Sequence, residues 1–257
     1  MPPLGLASSL GLAAPRSATS SGSPHASGGA VTRQDDLLGW WKFDEESGTT
    51  AVDSISGIAG RSLTLYNGGT PPPPTFVPGK HNNAVDFDGS DDYAESTVGP
   101  TDANDCTISY WVNCDVSASL KGNVSSYRYY TTGYNGAFSI RWNGGNVKII
   151  MSNGTSIIQP AWTASMSTGA WHLIGVVLDT SASEVSVWVD GVDLGAVATG
   201  SRTFSDMSNG LVVGAFRQGC TLYNYFNGKI DDLRIYNAAL EDEDMEAIWG
   251  SGDGDWG

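Results

Sequence analysis

From Leu37 onward the chain alternates apolar and polar residues at period two, in runs too short for most helices. In EVSVWVD, Val185, Val187 and Val189 share one face while Glu184, Ser186 and Trp188 take the other. TISYWV at 107–112 is apolar on both faces, which predicts a central strand between two layers. AFSIRWN and NVKIIM flank Gly144-Gly145, WHLIGVVLD precedes EVSVWVD, and Asp190-Gly191 turns the chain into VDLGAV, so hairpins are expected at each. LLGWWKF, AVDFDG, DYAEST, LVVGAF and FNGKIDDLRIY complete the strand-sized segments. In the last of these, alternation fails across Ile230-Asp231-Asp232-Leu233, which predicts a β-bulge that re-aims a side chain.

A single helix is expected near Asp242–Trp249. Met245, Ile248 and Trp249 fall on one side, acidic residues gather where a helix N-terminus favours them, and Asp242 suits the N-cap. The four prolines at 71–74 lack backbone donors and must be loop or sheet edge. These elements predict an all-β chain, a two-sheet antiparallel β-sandwich with one short C-terminal helix. Residues 1–35 contain no aromatic residue and are rich in Ser, Ala, Gly and Pro, so they read as an extended arm outside the sandwich. The sandwich is expected over 36–250 and a Gly/Asp tail over 251–257. The apolar stretch near Met1 has no preceding Lys or Arg and follows two prolines, so it is not read as a cleaved leader.

Charge narrows the partners. With 13 basic against 28 acidic residues and a formal net charge of -15, the chain lacks the basic footprint of a nucleic-acid binder. No apolar run reaches the roughly 20 residues of a bilayer span. Cys106, Cys114 and Cys220 make no disulfide framework, and buried thiols are expected.

The segments WWKFDEESGTTAVDSISG, AVDFDGSDDYAE, TISYWVN, WHLIGVVLDTSASEVSVWVDGVDLG and FNGKIDDLRIYNAALEDEDMEAIW, in that order over about residues 38–250, resemble the laminin-G-like jelly roll of the concanavalin A-like lectin/glucanase superfamily. The resemblance implies a sandwich whose first and last strands are neighbours. Relatives span sugar-binding modules, adhesion domains, virion components and hydrolases, so fold alone leaves function open.

Several side chains are candidates for chemistry. Hydrolases of this superfamily carry E-x-D-x-x-E; Glu241, Glu243 and Glu246 approximate it, but the middle residue differs and the segment reads as helix, so no enzyme is expected. His25, His81 and His172 have no paired metal or triad spacing, and His172 reads as structural. Asp44, Glu45 and Asp53 after the first strand and Asp231 and Asp232 in the last converge if those strands are neighbours, which predicts a calcium site. Asp86 to Asp92 reads as a turn. Tyr127, Tyr129, Tyr130 and Tyr134, with Tyr223 and Tyr225, form two aromatic loops suited to stacking on a glycan or to a protein interface. The first functional expectation is a non-catalytic structural or adhesive protein of a phage-like virion surface, joined to other protein chains through residues 1–35. The alternative is a secreted, extracellular carbohydrate-binding lectin.

Overall fold

The structure, a computed structural model, describes residues 32–55, 57–69, 72–99, 105–116, 121–126, 138–152, 156–200, 210–218 and 221–256. Two antiparallel sheets face each other. The first runs β15 (Val192–Ala198), β14 (Glu184–Val189), β13 (Trp171–Asp179), β7 (Cys106–Cys114), β19 (Asn227–Tyr236), β5 (Asn83–Asp88) and β4 (Thr75–Pro78), with β1 (Leu37–Trp41) also paired to β19. The second runs β11 (Ile157–Ile158), β10 (Val147–Ser152), β9 (Phe138–Trp142), β8 (Lys121–Ser126), β16 (Leu211–Val213), β6 (Asp92–Glu95), β3 (Leu63–Asn67) and β2 (Thr50–Ala51), with β12 (Ala161–Trp162) on β10. A short ribbon of β17 (Phe216–Gln218) and β18 (Thr221–Tyr223) stands apart.

The expected hairpins are present: Trp142 pairs with Val147 across Gly144-Gly145, and β14 pairs with both β13 and β15. Asp190 and Gly191 both take positive φ, 53° and 75°, as a tight turn joining right-twisted strands requires. The proline run leads into β4, an edge strand, where a missing donor costs the sheet least. Cys106 and Cys114 sit at the two ends of β7 as buried free thiols, and Cys220 lies outside the described residues.

Apolar alternation divides the burial in two. Val185, Val187 and Val189, with Ile108, Tyr110 and Val112, point between the sheets into the main core around Trp41, Phe87 and Trp142. Trp188 and Trp111 point the other way, into a second cluster on the outer face of the first sheet. The helix α1 (Asp242–Trp249) closes that face with Met245 and Ile248, each worth about 1.5–3 kcal/mol of burial. Its bounds match the expectation but its cap does not: Glu241, not Asp242, is the N-cap, and its N–H donates to Asp244 Oδ2 at 3.3 Å. Arg33 reaches the same carboxylate at 3.3 Å and ties the start of the described chain to the helix.

His172 joins β13 to the turn after β14. Its Nδ1 lies 2.7 Å from Asp190 Oδ2, while Asp190 Oδ1 accepts the Leu173 N–H at 2.9 Å. Its Nε2 faces the backbone N–H and carbonyl of Ser167 at 3.1 and 3.2 Å, so the ring bridges a loop to a hairpin. The bond to Asp190 raises the His172 pKa above its ordinary value, and burial opposes this. Its contribution is therefore complete below the unfolded value near 6.5 and is lost as pH rises through the folded one. His172→Gln is expected to lower the melting temperature more at pH 6 than at pH 8.5, read by thermal denaturation.

Gly228 opposes Cys114 in β19 at φ 136°, and a Cβ there would overlap the Asn113 carbonyl oxygen. Gly144 has φ 61° with open space around it. Gly228→Ala is thus expected to cost about 3 kcal/mol or more and Gly144→Ala about 1 kcal/mol, measured by denaturant unfolding.

Candidate binding cleft

One edge of β19 serves two neighbours. Asn227–Ile230 pair with Asp88–Val85 of β5, and Leu233–Tyr236 pair with Trp41–Leu37 of β1. Asp231 and Asp232 fall at the change of partner. The register against β7 shifts between Asp231 and Arg234, and Asp232 has φ 50°, so the predicted bulge is present. It lets Ile230 and Leu233, three residues apart, both face the core. The two aspartates between them line a cleft of about 190 Å³ with Trp40, Lys42, Asp44, His81, Asn82 and Trp256.

Each wall has a local cause. Asn82, at φ 49°, closes the turn before β5 with its carbonyl accepting the Gly79 N–H at 3.0 Å, and its side chain donates to Asp44 Oδ2 at 3.2 Å. That turn aims the N–H groups of Lys80 and His81 at Asp231 Oδ2, at 2.9 and 3.0 Å, while Asp231 Oδ1 is buried with no partner. Burial foremost, and then the neighbouring Asp232 and Asp44 carboxylates, push the Asp231 carboxyl up to about 8 against those two bonds. Asp232 Oδ1 accepts from Trp40 Nε1 at 2.6 Å and from Arg234 Nε at 3.0 Å. Trp40 is itself covered, with the Lys42 ammonium 4.0 Å and the Arg234 guanidinium 4.8 Å from its ring centroid. Trp256 comes from the C-terminal segment and stacks on His81 at 4.5 Å.

Of the five acidic residues expected to converge, Asp44, Asp231 and Asp232 line the cleft. Asp53 does not: it accepts the N–H groups of Trp40 and Ile55 at 3.0 and 3.1 Å and lies 3.9 Å from Arg61. Glu45 does not either, and accepts the Val52 N–H at 2.7 Å. Backbone N–H groups thus hold these two carboxylates outside the cleft lining. Tyr127, Tyr129, Tyr130 and Tyr134 lie outside the described residues. Tyr223 packs against Phe216 at 5.8 Å, and Tyr225 is half-buried with Asp91 near it, so neither reaches the cleft. Glu243 and Glu246 are exposed on α1 behind the capping Glu241, away from the cleft lining. Residues 1–31 of the expected arm also lie outside the described residues.

Sequence reasoning missed Trp40, Lys42, His81, Asn82 and Trp256 as cleft residues. The legible signals were the polar turn GKHNN before β5 and an aromatic residue standing alone in a Gly/Asp segment.

A family model described as the concanavalin A-like lectin/glucanases superfamily matches residues 88–245. The chain belongs to this superfamily. No curated protein matches it. Among solved structures it is similar to domain 4 of AbnA, a GH43 extracellular arabinanase from Geobacillus stearothermophilus, in complex with arabinotriose. That match has a TM-score of 0.65 at 18% identity and covers 82% of this chain and 97% of that one. The Ruminococcus gnavus IT-sialidase CBM40 bound to α2,3 sialyllactose aligns with a TM-score of 0.52 at 14% identity, over 57% of this chain and 83% of that one. The botulinum neurotoxin serotype D binding domain aligns with a TM-score of 0.59 at 12% identity, over 84% of this chain and 52% of that one. These likenesses establish a shared jelly-roll fold.

A carboxyl whose folded pKa is raised contributes stability that is present at low pH and lost as pH climbs, here between about 4 and about 8. Asp231→Asn keeps an oxygen for the two N–H donors and removes the titration. It is expected to raise the melting temperature by several degrees at pH 8.5 in chelator, and to leave it unchanged near pH 4.

Proposed function

We propose that this chain is a non-catalytic carbohydrate-binding module that takes the end of a glycan in the cleft at the junction of β1, β5 and β19. The observation that carries this reading is the juxtaposition of a partly exposed Trp256 ring with amide, carboxyl and ammonium groups from Asn82, Asp44, Asp231 and Lys42 in one cleft. An indole beside fixed hydrogen-bonding groups suits a sugar, which offers an apolar ring face and a rim of hydroxyls. At about 190 Å³ the cleft is smaller than the roughly 300–1,000 Å³ of sites that engulf a drug-sized ligand, which favours a single terminal residue. The sugars named with the AbnA domain and the CBM40 domain lend this reading support from proteins of the same fold.

The non-catalytic part rests on how the carboxyls are employed. Retaining glycoside hydrolysis needs two carboxyls placed about 5–5.5 Å apart across the bond, one of them a free nucleophile. Asp232 is held by Trp40 and Arg234, and Asp231 by two backbone donors. The expected calcium belongs to the same proposal, reduced to Asp44, Asp231 and Asp232. Their hard oxygen donors suit the ion, which would displace the proton on Asp231 and bridge protein and sugar hydroxyls. An extracellular or surface location accords with this role. Display on a virion through residues 1–35 is its more specific form, and the described end of that segment is held by bonds from Thr32 to Asp255 and from Arg33 to Asp244.

A glycan array probed with the full chain, in calcium and in EDTA, tests the reading. Binding is expected to a defined set of terminal sugars, weakened about 5- to 150-fold by Trp256→Ala as ring-stacking losses of about 1–3 kcal/mol imply. Clean absence of binding in calcium, or binding indifferent to Trp256→Ala and Asn82→Ala together, rejects the cleft as a sugar site.

A further inference from the structure

On the second sheet, away from the cleft, one buried charge stands uncompensated. Phe138, Ile140 and Trp142 of β9 point into the core, so Ser139 and Arg141 between them point outward. Five arginines lie among the described residues, and four pair with a carboxylate: Arg33 with Asp36, Arg61 with Asp53, Arg217 with Glu95 and Arg234 with Asp232. Arg141 faces none. It is 5% exposed, its Nε donates to Ser139 Oγ at 3.2 Å, and its Nη2 is buried without a partner. Burial lowers its pKa to about 10 with no acidic neighbour to offset the shift, so the group is charged at neutral pH.

Local packing holds the guanidinium in place. Gly122 of β8 opposes Arg141, and the Ala215–Phe216 backbone lies where a Cβ on Gly122 would be. The Phe216 ring centroid is thereby 3.6 Å from the guanidinium carbon and covers one of its faces. Ser139 Oγ is 2.9 Å from Ser125 Oγ, which also lies 3.2 Å from the Ala215 carbonyl oxygen, so neutral hydroxyls fix the Nε side and leave the Nη edge. A ring face offsets only part of the cost of burying a charge. On the other flank, Lys148 of β10 is in register with Arg141, which sets a second cation on the same face. Lys148 is half-buried and also has no carboxylate partner among the described residues. Like charges opposed across two strands repel each other. The chain has 28 acidic residues, yet no described one is placed to neutralise this pair.

We infer that the outer face of β9 and β10 binds a carboxylate group, with Arg141 and Lys148 as its partners. A carboxylate presents two coplanar oxygens, which match parallel N–H donors on a guanidinium edge, and the Lys148 ammonium adds a point charge beside them. Phe216 and Ser139 already hold the guanidinium plane, so little side-chain freedom is lost when the anion arrives. The group can come from a free organic acid or from an acidic sugar, since the carboxylate is common to both. Its place on the second sheet separates it from the cleft, which is built on β1, β5 and β19 of the first. Sugar binding at the cleft is not required for it.

The test is thermal melting and calorimetric titration of the full chain with sodium acetate and with sodium glucuronate, ionic strength being held constant with sodium chloride. Either acid at about ten times its Kd should raise the wild-type melting temperature by roughly 3–6 °C. Arg141→Met and Lys148→Gln should each weaken that binding about tenfold or more, while Trp256→Ala in the cleft retains it. Lys148 is only half-buried, so its variant keeps the test valid if Arg141→Met fails to fold. Equal affinity for the two acids supports the site with a free acid as the source, and tighter glucuronate binding with the same variant dependence supports it with an acidic sugar. The site is overturned if neither acid shifts the melting temperature relative to chloride up to about 100 mM, or if the shift survives in both variants. A shift lost in Trp256→Ala but kept in Arg141→Met and Lys148→Gln assigns the anion to the cleft and also overturns it.

Discussion

A single strand edge cannot hydrogen-bond two neighbours without a break between them, and β19 is built around that constraint. Its first half completes a ladder with β5 and its second half with β1. Both halves must present apolar side chains to the same core, which a regular two-residue repeat spanning the gap would not allow. The bulge at Asp231-Asp232 restores the phase, and two aspartates are left at a point where the sheet edge is open. The cleft, its acidity and the contact of Trp40 with Asp232 all follow from that one inserted residue.

The electrostatics beside the bulge are equally constrained. Arg234 is 0% exposed, next to the bulge, and burial alone would suppress its charge. The Asp232 carboxylate at 3.0 Å outweighs that penalty, and Asp255 adds a second acidic neighbour at 3.6 Å. Such a buried pair adds little net stability compared with apolar residues of the same size, yet losing one partner costs about 3–5 kcal/mol. Its value lies in fixing geometry: Asp232 is held by Trp40 and Arg234 beside Asp231, whose Oδ1 is buried without a partner.

Much of this was legible in the residues. Broken alternation at Ile230-Asp231-Asp232-Leu233 located the bulge, and resemblance placed β1 beside β19. The apolar face of 242–249 gave the helix its bounds. What could not be read was which way each carboxylate is drawn. Asp53 and Glu45 resemble ligands in sequence, but local N–H donors claim them, and donor directions depend on φ and ψ values that composition does not encode. Trp256 was invisible as a wall because its partner, His81, is far away in sequence.

The outer aromatic cluster has an optical consequence. Trp249 on the helix, Trp111 on β7, Trp256 at the cleft and His81 opposite form a continuous file, with ring centroids 5.2, 6.1 and 4.5 Å apart in turn. Indoles at these separations share their excited states, so a ligand that tilts Trp256 alters the emission and near-ultraviolet dichroism of the whole file. The protein thereby carries an unlabelled chromophore whose last indole, Trp256, forms a wall of the cleft.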